Sequence, residues 1–228
     1  MTDNANRWTE TYKAKSALWI HDGNPKRPHA LLTSGMHSGG FFNSGLVTED
    51  PLLLGHACHD LAFMLRTQAN IREINRVVGP AMGAIAIAHC IAWSISRLSG
   101  RTPNNHCLSS FTEKIVVGDF ERQILKRTTM RPGETVITVE DVITTGGSVI
   151  RTAEAVTEAG GKLFPYILTL VNRSGLSEID GRRIVALIDQ PMPMWDAPPV
   201  GDCPLCKQGS KAIRPKGAES WAALNAEY

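Results

Sequence analysis

The chain is short of aromatic residues, 6% of its 228, and has no run of like charge and no apolar stretch long enough to span a membrane. Without stacking rings or a basic block there is little to build a nucleic-acid surface, and without the apolar run there is no candidate transmembrane helix. Charge is nearly balanced, 24 basic against 22 acidic residues, and Arg182-Arg183 reads as a solvated turn. The opening MTDNANRWTETYKAK is polar and lacks the apolar centre of a signal peptide, so a cytoplasmic protein is expected. The five cysteines then read as thiols, with Cys58, Cys90 and Cys107 as small core residues in apolar or strand-like surroundings.

What is present is an alternation of helical and strand patterns with no internal repeat. Pro51 to Gln68 and Ala84 to Leu98 have helical spacing of apolar residues, as does the stretch from Ser148 through Ile150, Ala153 and Val156 to Gly160-Gly161. Arg76 to Gly79, His106 to Lys114, Val136 to Val139, Phe164 to Asn172 and Ile184 to Asp189 read as strands. The series predicts an α/β fold, a doubly wound and mostly parallel sheet whose ligands sit beyond the strands' C-terminal ends. A chain of this length buries about 70% of its unfolded surface, so one domain is expected. Residues 1–50 would form a hood, 51–190 the α/β core and 191–228 an irregular tail.

The stretch Val136 to Ser148, VITVEDVITTGGS, carries most of the chemistry. Four residues of a strand buried on both faces lead to Glu140 and Asp141, two carboxylates able to accept from vicinal hydroxyls or hold a sugar-bound Mg²⁺. Val142 and Ile143 follow, then Thr144, Thr145, Gly146, Gly147 and Ser148, a turn of free N–H groups opening a helix and suited to a phosphate monoester. The loop has neither the Gly-Lys-Thr/Ser of a Walker A motif nor GxGxxG. VVGPAMGAIAIA, Val77 to Ala88, is a second strand-turn-helix in which Ala81, Met82 and Gly83 let backbone approach a ligand, unless it is an ordinary connection. ALLTSGMHSGGFFNSGLV, Ala30 to Val47, sets Phe41 and Phe42 in a Gly-rich segment, either a surface for a flat ring or a hydrophobic plug. Arg173, in VNRSG, has the donor fork for carbonyl groups, or else is a surface arginine in a turn.

Together these motifs resemble the type I phosphoribosyltransferases, and over residues 15–190 most closely the orotate phosphoribosyltransferase family, through Ser34-Gly35 and Phe41-Phe42-Asn43. The resemblance implies transfer of the phosphoribosyl group from phosphoribosyl diphosphate to a pyrimidine, with Mg²⁺ and a homodimer. It makes Asp141, Glu140 and Lys114 catalytic, Thr144 to Ser148 the 5′-phosphate loop, Ala81 to Gly83 the diphosphate loop, and Arg173 with Phe41 and Phe42 the base site. The chain departs from the family where the leaving group is neutralised. Glu113 stands where an arginine is usual, no histidine follows before Glu140, Met82-Gly83 replaces an aromatic-lysine pair and Thr33 replaces a lysine. Lys126 and Arg127 are the candidates to supply the missing charge, or they face solvent. The same chemistry on another nucleobase, and a non-catalytic sensor of phosphoribosyl diphosphate, stay open as alternatives.

CPLCKQGSKAIRPKG, Cys203 to Gly217, lies outside the resemblance. Cys203 and Cys206 form half of a zinc site, which would be completed by distant residues such as His21 or His29 or by a partner chain; otherwise they are a reduced thiol pair in a basic tail.

Overall fold

A computed structural model describes residues 2–118 and 120–228 of the chain. It opens with helix α1 (Thr2–Ala14), short strands β1 (Leu18–Ile20), β2 (His29–Leu31), β3 (His37–Ser38) and β4 (Gly40–Phe42), a helical turn α2 (Gly45–Thr48) and helix α3 (Pro51–Arg66). The Asp50 carboxylate caps α3, accepting from Leu52 N at 3.1 Å and Leu53 N at 3.2 Å, with Pro51 at the first helical position. Then follow β5 (Arg76–Pro80), α4 (Ile85–Leu98), β6 (Leu108–Val117), β7 (Phe120–Ile124), β8 (Thr135–Ile143), α5 (Gly147–Glu158), β9 (Lys162–Asn172), β10 (Glu178–Ile179) and β11 (Arg182–Asp189). The tail adds β12 (Met194–Trp195), α6 (Pro204–Lys207), β13 (Ala212–Ile213) and α7 (Ala218–Asn225).

The main sheet has the order β10-β11-β9-β8-β5-β6-β7, parallel from β11 to β6 and closed at each edge by an antiparallel strand. Its two faces are separated by side-chain alternation. Val77 of β5 and Ile137 and Val139 of β8 pack under α1, α3 and α4, whereas Val78 and Val136 pack with Val156 of α5 on the opposite face. On α3 the residues turned inward are Leu54, Ala57, Cys58, Leu61, Ala62 and Leu65, the spacing of one helical face. Cys58 and Cys107 are core residues and Cys90 is partly exposed.

Three expectations change. Arg182 is not in a solvated turn: it begins β11, is 5% exposed and donates from Nη1 to Thr138 Oγ1 at 3.3 Å, while Arg183 is exposed with its guanidinium over the Tyr166 ring. Strand β8 does not stop at Val139 but continues through the acid pair to Ile143, because β9 pairs with it as far as Asn172. The tail is not irregular throughout: β12 and β13 flank the hood strands in a sheet of order β12-β3-β2-β13. Among the described residues no helix is long and apolar enough to cross a membrane.

At the N-terminal end of the sheet, away from the acid pair, Arg76 and Glu134 form a buried bidentate pair, Nε to Oε2 at 2.9 Å and Nη2 to Oε1 at 3.3 Å, with Arg76 Nη1 also donating to Ser110 Oγ at 2.7 Å. Both side chains are 7% exposed, so removing one partner strands a buried charge. Glu134→Ala is expected to lower unfolding stability by about 3–5 kcal/mol, read by urea denaturation; a loss under about 1 kcal/mol would show the pair to be dispensable.

Candidate active site

A cleft of about 590 Å³ opens over the C-terminal ends of the parallel strands. Its floor is the end of β8 and the loop that follows it, one wall is the turn after β5, and its roof is the hood with one residue of the tail. The sheet dictates this placing, since parallel strands end together on one edge and their connecting loops start there.

Glu140 is 6% exposed and its Oε1 accepts from Asp141 N at 3.2 Å, while Oε2 is buried with no hydrogen-bond partner. Burial, and next the neighbouring Asp141 carboxylate, push the Glu140 carboxyl well above the usual carboxylate range. Asp141 Oδ1 accepts from Val142 N at 2.8 Å, and its other oxygen faces the turn after β5. A Cβ on Gly83 would stand 2.8 Å from Asp141 Oδ2, so the glycine there is what lets that turn reach the acid. The Ala81–Met82 peptide bond is cis.

Beyond the acids, Gly146 has φ +82°, the left-handed conformation that turns the chain into α5, and no side chain caps the new helix. The first N–H groups of α5 therefore face the cleft without an intrahelical acceptor. Arg151 folds back over this loop, its Nη1 3.3 Å from where a Cβ on Gly147 would be. It lines the cleft and adds a positive charge beside the first turn of α5. The signal for it was the spacing of four between Gly147 and Arg151, which sets both on the same face of the first turn.

Arg173 is not a surface residue. It is 1% exposed, donates from Nη1 to Gly40 O at 2.8 Å and from Nη2 to Ser38 Oγ at 2.5 Å, and its Nε is buried without a partner. Burial draws its pKa down to about 10, so the guanidinium stays protonated at neutral pH. Phe42 is 2% exposed and stacks edge-on against Tyr12, with ring centroids 5.5 Å apart, while Phe41 packs against Trp221 at 5.9 Å. Both line the cleft, as does Thr33, but Phe42 also does the work of the hydrophobic plug.

The cations are arranged differently from expectation. Lys114 lines the cleft and pairs with Glu121 across the β6-β7 hairpin. Lys126 and Arg127 do not line it: both are exposed, and Arg127 Nε reaches back to Glu113 Oε1 at 2.7 Å, so the charge assigned to them is spent on the outer surface. The tail delivers Lys216 into the cleft instead. Sequence reading placed Lys216 only in a basic tail, because nothing local shows that β13 pairs with β2 and returns the chain to the hood. Cys203 and Cys206 are not in this cleft; they lie behind the hood against His29 and His37, and His21 is engaged elsewhere, with Arg27 O.

No protein-family model matches the chain. Curated relatives do: the orotate phosphoribosyltransferase of Acidithiobacillus ferrooxidans is 35% identical over 202 residues, covering 87% of this chain and 93% of that protein. That of Desulforamulus reducens is 35% identical over 188 residues, covering 82% and 87%. Among solved structures, the orotate phosphoribosyltransferase of Aeropyrum pernix superposes with a TM-score of 0.55 at 21% identity, over 79% of this chain and 93% of that one. The Mycobacterium tuberculosis protein, solved with inorganic phosphate, superposes with a TM-score of 0.51 at 18% identity, over 82% and 95%. These two share the fold, and the curated relatives go further: at 35% identity over most of both sequences, the chain belongs to the orotate phosphoribosyltransferase family.

Proposed function

We propose that this chain transfers the 5-phosphoribosyl group from phosphoribosyl diphosphate to orotate and releases pyrophosphate. The observation that carries the reading is the pairing of an uncapped helix N-terminus with two adjacent carboxyl groups, one of them buried with an unsatisfied oxygen, at the end of a central parallel strand. The first suits a phosphate monoester and the second the hydroxyls of a ribose.

In this reading the amides of Thr144 to Ser148, with Arg151, hold the 5′-phosphate. Glu140, whose proton burial and the neighbouring Asp141 carboxylate hold more tightly than usual, faces the ribose hydroxyls beside Asp141. Asp141 accepts from the neighbouring hydroxyl and opposes the positive charge that grows on the sugar ring. Arg173, whose guanidinium holds Gly40 O and Ser38 Oγ, fixes the hood segment that carries Phe41, beside which the ring of the flat base rests. Fixing both reactants in this way removes much of the entropic part of the barrier. The hard oxygens of the acid pair, Asp141 foremost because its Oδ2 faces the turn after β5, fit a Mg²⁺ carried by the diphosphate, and the ion would supply neutralisation of the departing group. Lys114 and Lys216 are this chain's own cations for that group once Lys114 leaves Glu121. Assembly as a homodimer fits the β6-β7 hairpin, where Val116 and Phe120 are 68% and 76% exposed.

The test is pyrophosphate release from magnesium phosphoribosyl diphosphate against orotate, uracil, cytosine, adenine, guanine and hypoxanthine. Release with orotate alone is expected. Release with another base would reassign the pocket at Arg173, and tight binding with no release would leave a sensor. Asp141→Asn is expected to cut turnover by about 10² to 10³ while the circular dichroism spectrum is unchanged; retained turnover would remove Asp141 from its role. Lys216→Ala is expected to lower kcat/KM for phosphoribosyl diphosphate, and unchanged kinetics would exclude the tail from the site.

A further inference from the structure

Behind the hood, outside the cleft, two histidines and two cysteines converge from segments far apart in the chain. His29 lies on β2 and His37 on β3, Cys203 stands at the start of α6, and Cys206 lies within it. One ligand atom from each residue lies within 4.8 Å of all the others. His29 Nε2 is 3.0 Å from His37 Nδ1, Cys206 Sγ is 3.2 Å from His37 Nδ1 and 3.5 Å from His29 Nε2, and Cys203 Sγ is 3.7 Å from His29 Nε2. Tetrahedral zinc, with bonds of about 2.0–2.3 Å, sets its ligand atoms about 3.3–3.8 Å apart. The closest of these contacts match that frame to within a few tenths of an ångström.

The proton inventory around His29 points the same way. Ser210 Oγ donates its one hydrogen to Arg27 O at 2.6 Å. Its contact of 2.9 Å with His29 Nδ1 then requires that Nδ1 carry the proton and donate. The lone pair of a neutral His29 is therefore on Nε2, the atom that faces His37 and both sulfurs, and the Ser210 contact fixes the ring as an outer partner of a metal ligand does. His29, His37 and Cys203 are at most 6% exposed and Cys206 is partly exposed at the rim, so the cluster is largely shielded from solvent.

We infer that His29, His37, Cys203 and Cys206 bind one structural zinc ion, which fastens the C-terminal tail to the hood. Two neutral imidazoles and two thiolates leave a neutral site, and loading releases two thiol protons to the buffer. Four protein ligands leave no open position, which assigns the ion to structure and not to catalysis. The site lies between tail and hood, where β12 and β13 pair with β3 and β2 through only two residue pairs each, and it adds a fastening to the packing of Leu224 on Trp19, whose Nε1 donates to Leu224 O at 2.8 Å. The inference is independent of the cleft's substrate.

The experiment uses the full chain purified without a histidine tag and under reducing conditions. About one zinc per chain is expected by elemental analysis, or tight uptake of one equivalent after chelation and zinc addition. Cobalt loaded in place of zinc is expected to give the intense visible bands of a tetrahedral ion and a thiolate charge-transfer band. Cys206→Ser and His37→Ala should each weaken these bands, and chelation should lower the melting temperature of the wild-type protein. Should the variants fail to fold, zinc and cobalt titrations of the reduced wild-type chain decide alone. No uptake of either ion, an octahedral cobalt spectrum, stoichiometric iron in place of zinc, or a Cys203–Cys206 disulfide that persists under reductant would overturn the assignment.

Discussion

The burial of Glu140 beside Asp141 is the constraint around which the cleft is arranged. A carboxyl group with one oxygen unsatisfied in a protein interior is costly, by about 1–3 kcal/mol for a buried neutral group and more if charged. Strand β8 holds it there because β9 and β5 pair with it on either side and the helices cover both faces. The neighbouring structure conforms to the acids. The turn after β5 has glycine where any side chain would strike Asp141, and Thr169 of β9 donates to the Asp141 carbonyl at 3.2 Å. Stability is thereby given up at the end of a central strand, on the edge where the cleft opens.

The distribution of cations follows from a second arrangement, the pairing of hood and tail. Where the family carries positive charge on the loop before the central strand, this chain has Glu113, and Arg127 is bound to it on the outside. The cleft instead receives Arg151 from the first turn of α5 and Lys216 from the tail. A residue more than 200 positions along the chain thus enters a site whose core is set by residues 80 to 173. It can do so only because β13 lies parallel to β2 and carries the chain back over the strand ends.

The α/β core was legible because parallel strands buried on both faces leave continuous apolar runs, and helices such as α3 leave one periodic face. The placement of the acid pair, of the loop Thr144–Ser148 and of the turn Ala81–Gly83 was legible for the same reason, since each is a local sequence whose position at a strand end follows from the strand itself. Helix α1 was not, because TDNANRWTETYKA is polar and buries chiefly Trp8 and Tyr12. The hood sheet was not, because strands of two and three residues carry no periodicity and their partners lie up to about 180 residues away. His37 was missed, and His21 offered as a ligand, for that reason, and Arg182 was misread because burial against Thr138 depends on the neighbouring strands. Long-range pairing is the common element in these failures.

In the proposed function, one edge of the sheet divides the sugar phosphate between the loop Thr144–Ser148 and the acids Glu140 and Asp141. The most direct measurement is a crystal structure of the chain with magnesium phosphoribosyl diphosphate bound. The 5′-phosphate oxygens are expected to accept from the amides of that loop, with Arg151 beside them, and the ribose hydroxyls to face Glu140 and Asp141. A ligand whose diphosphate occupies the loop, or one whose ribose contacts neither carboxyl group, would contradict it.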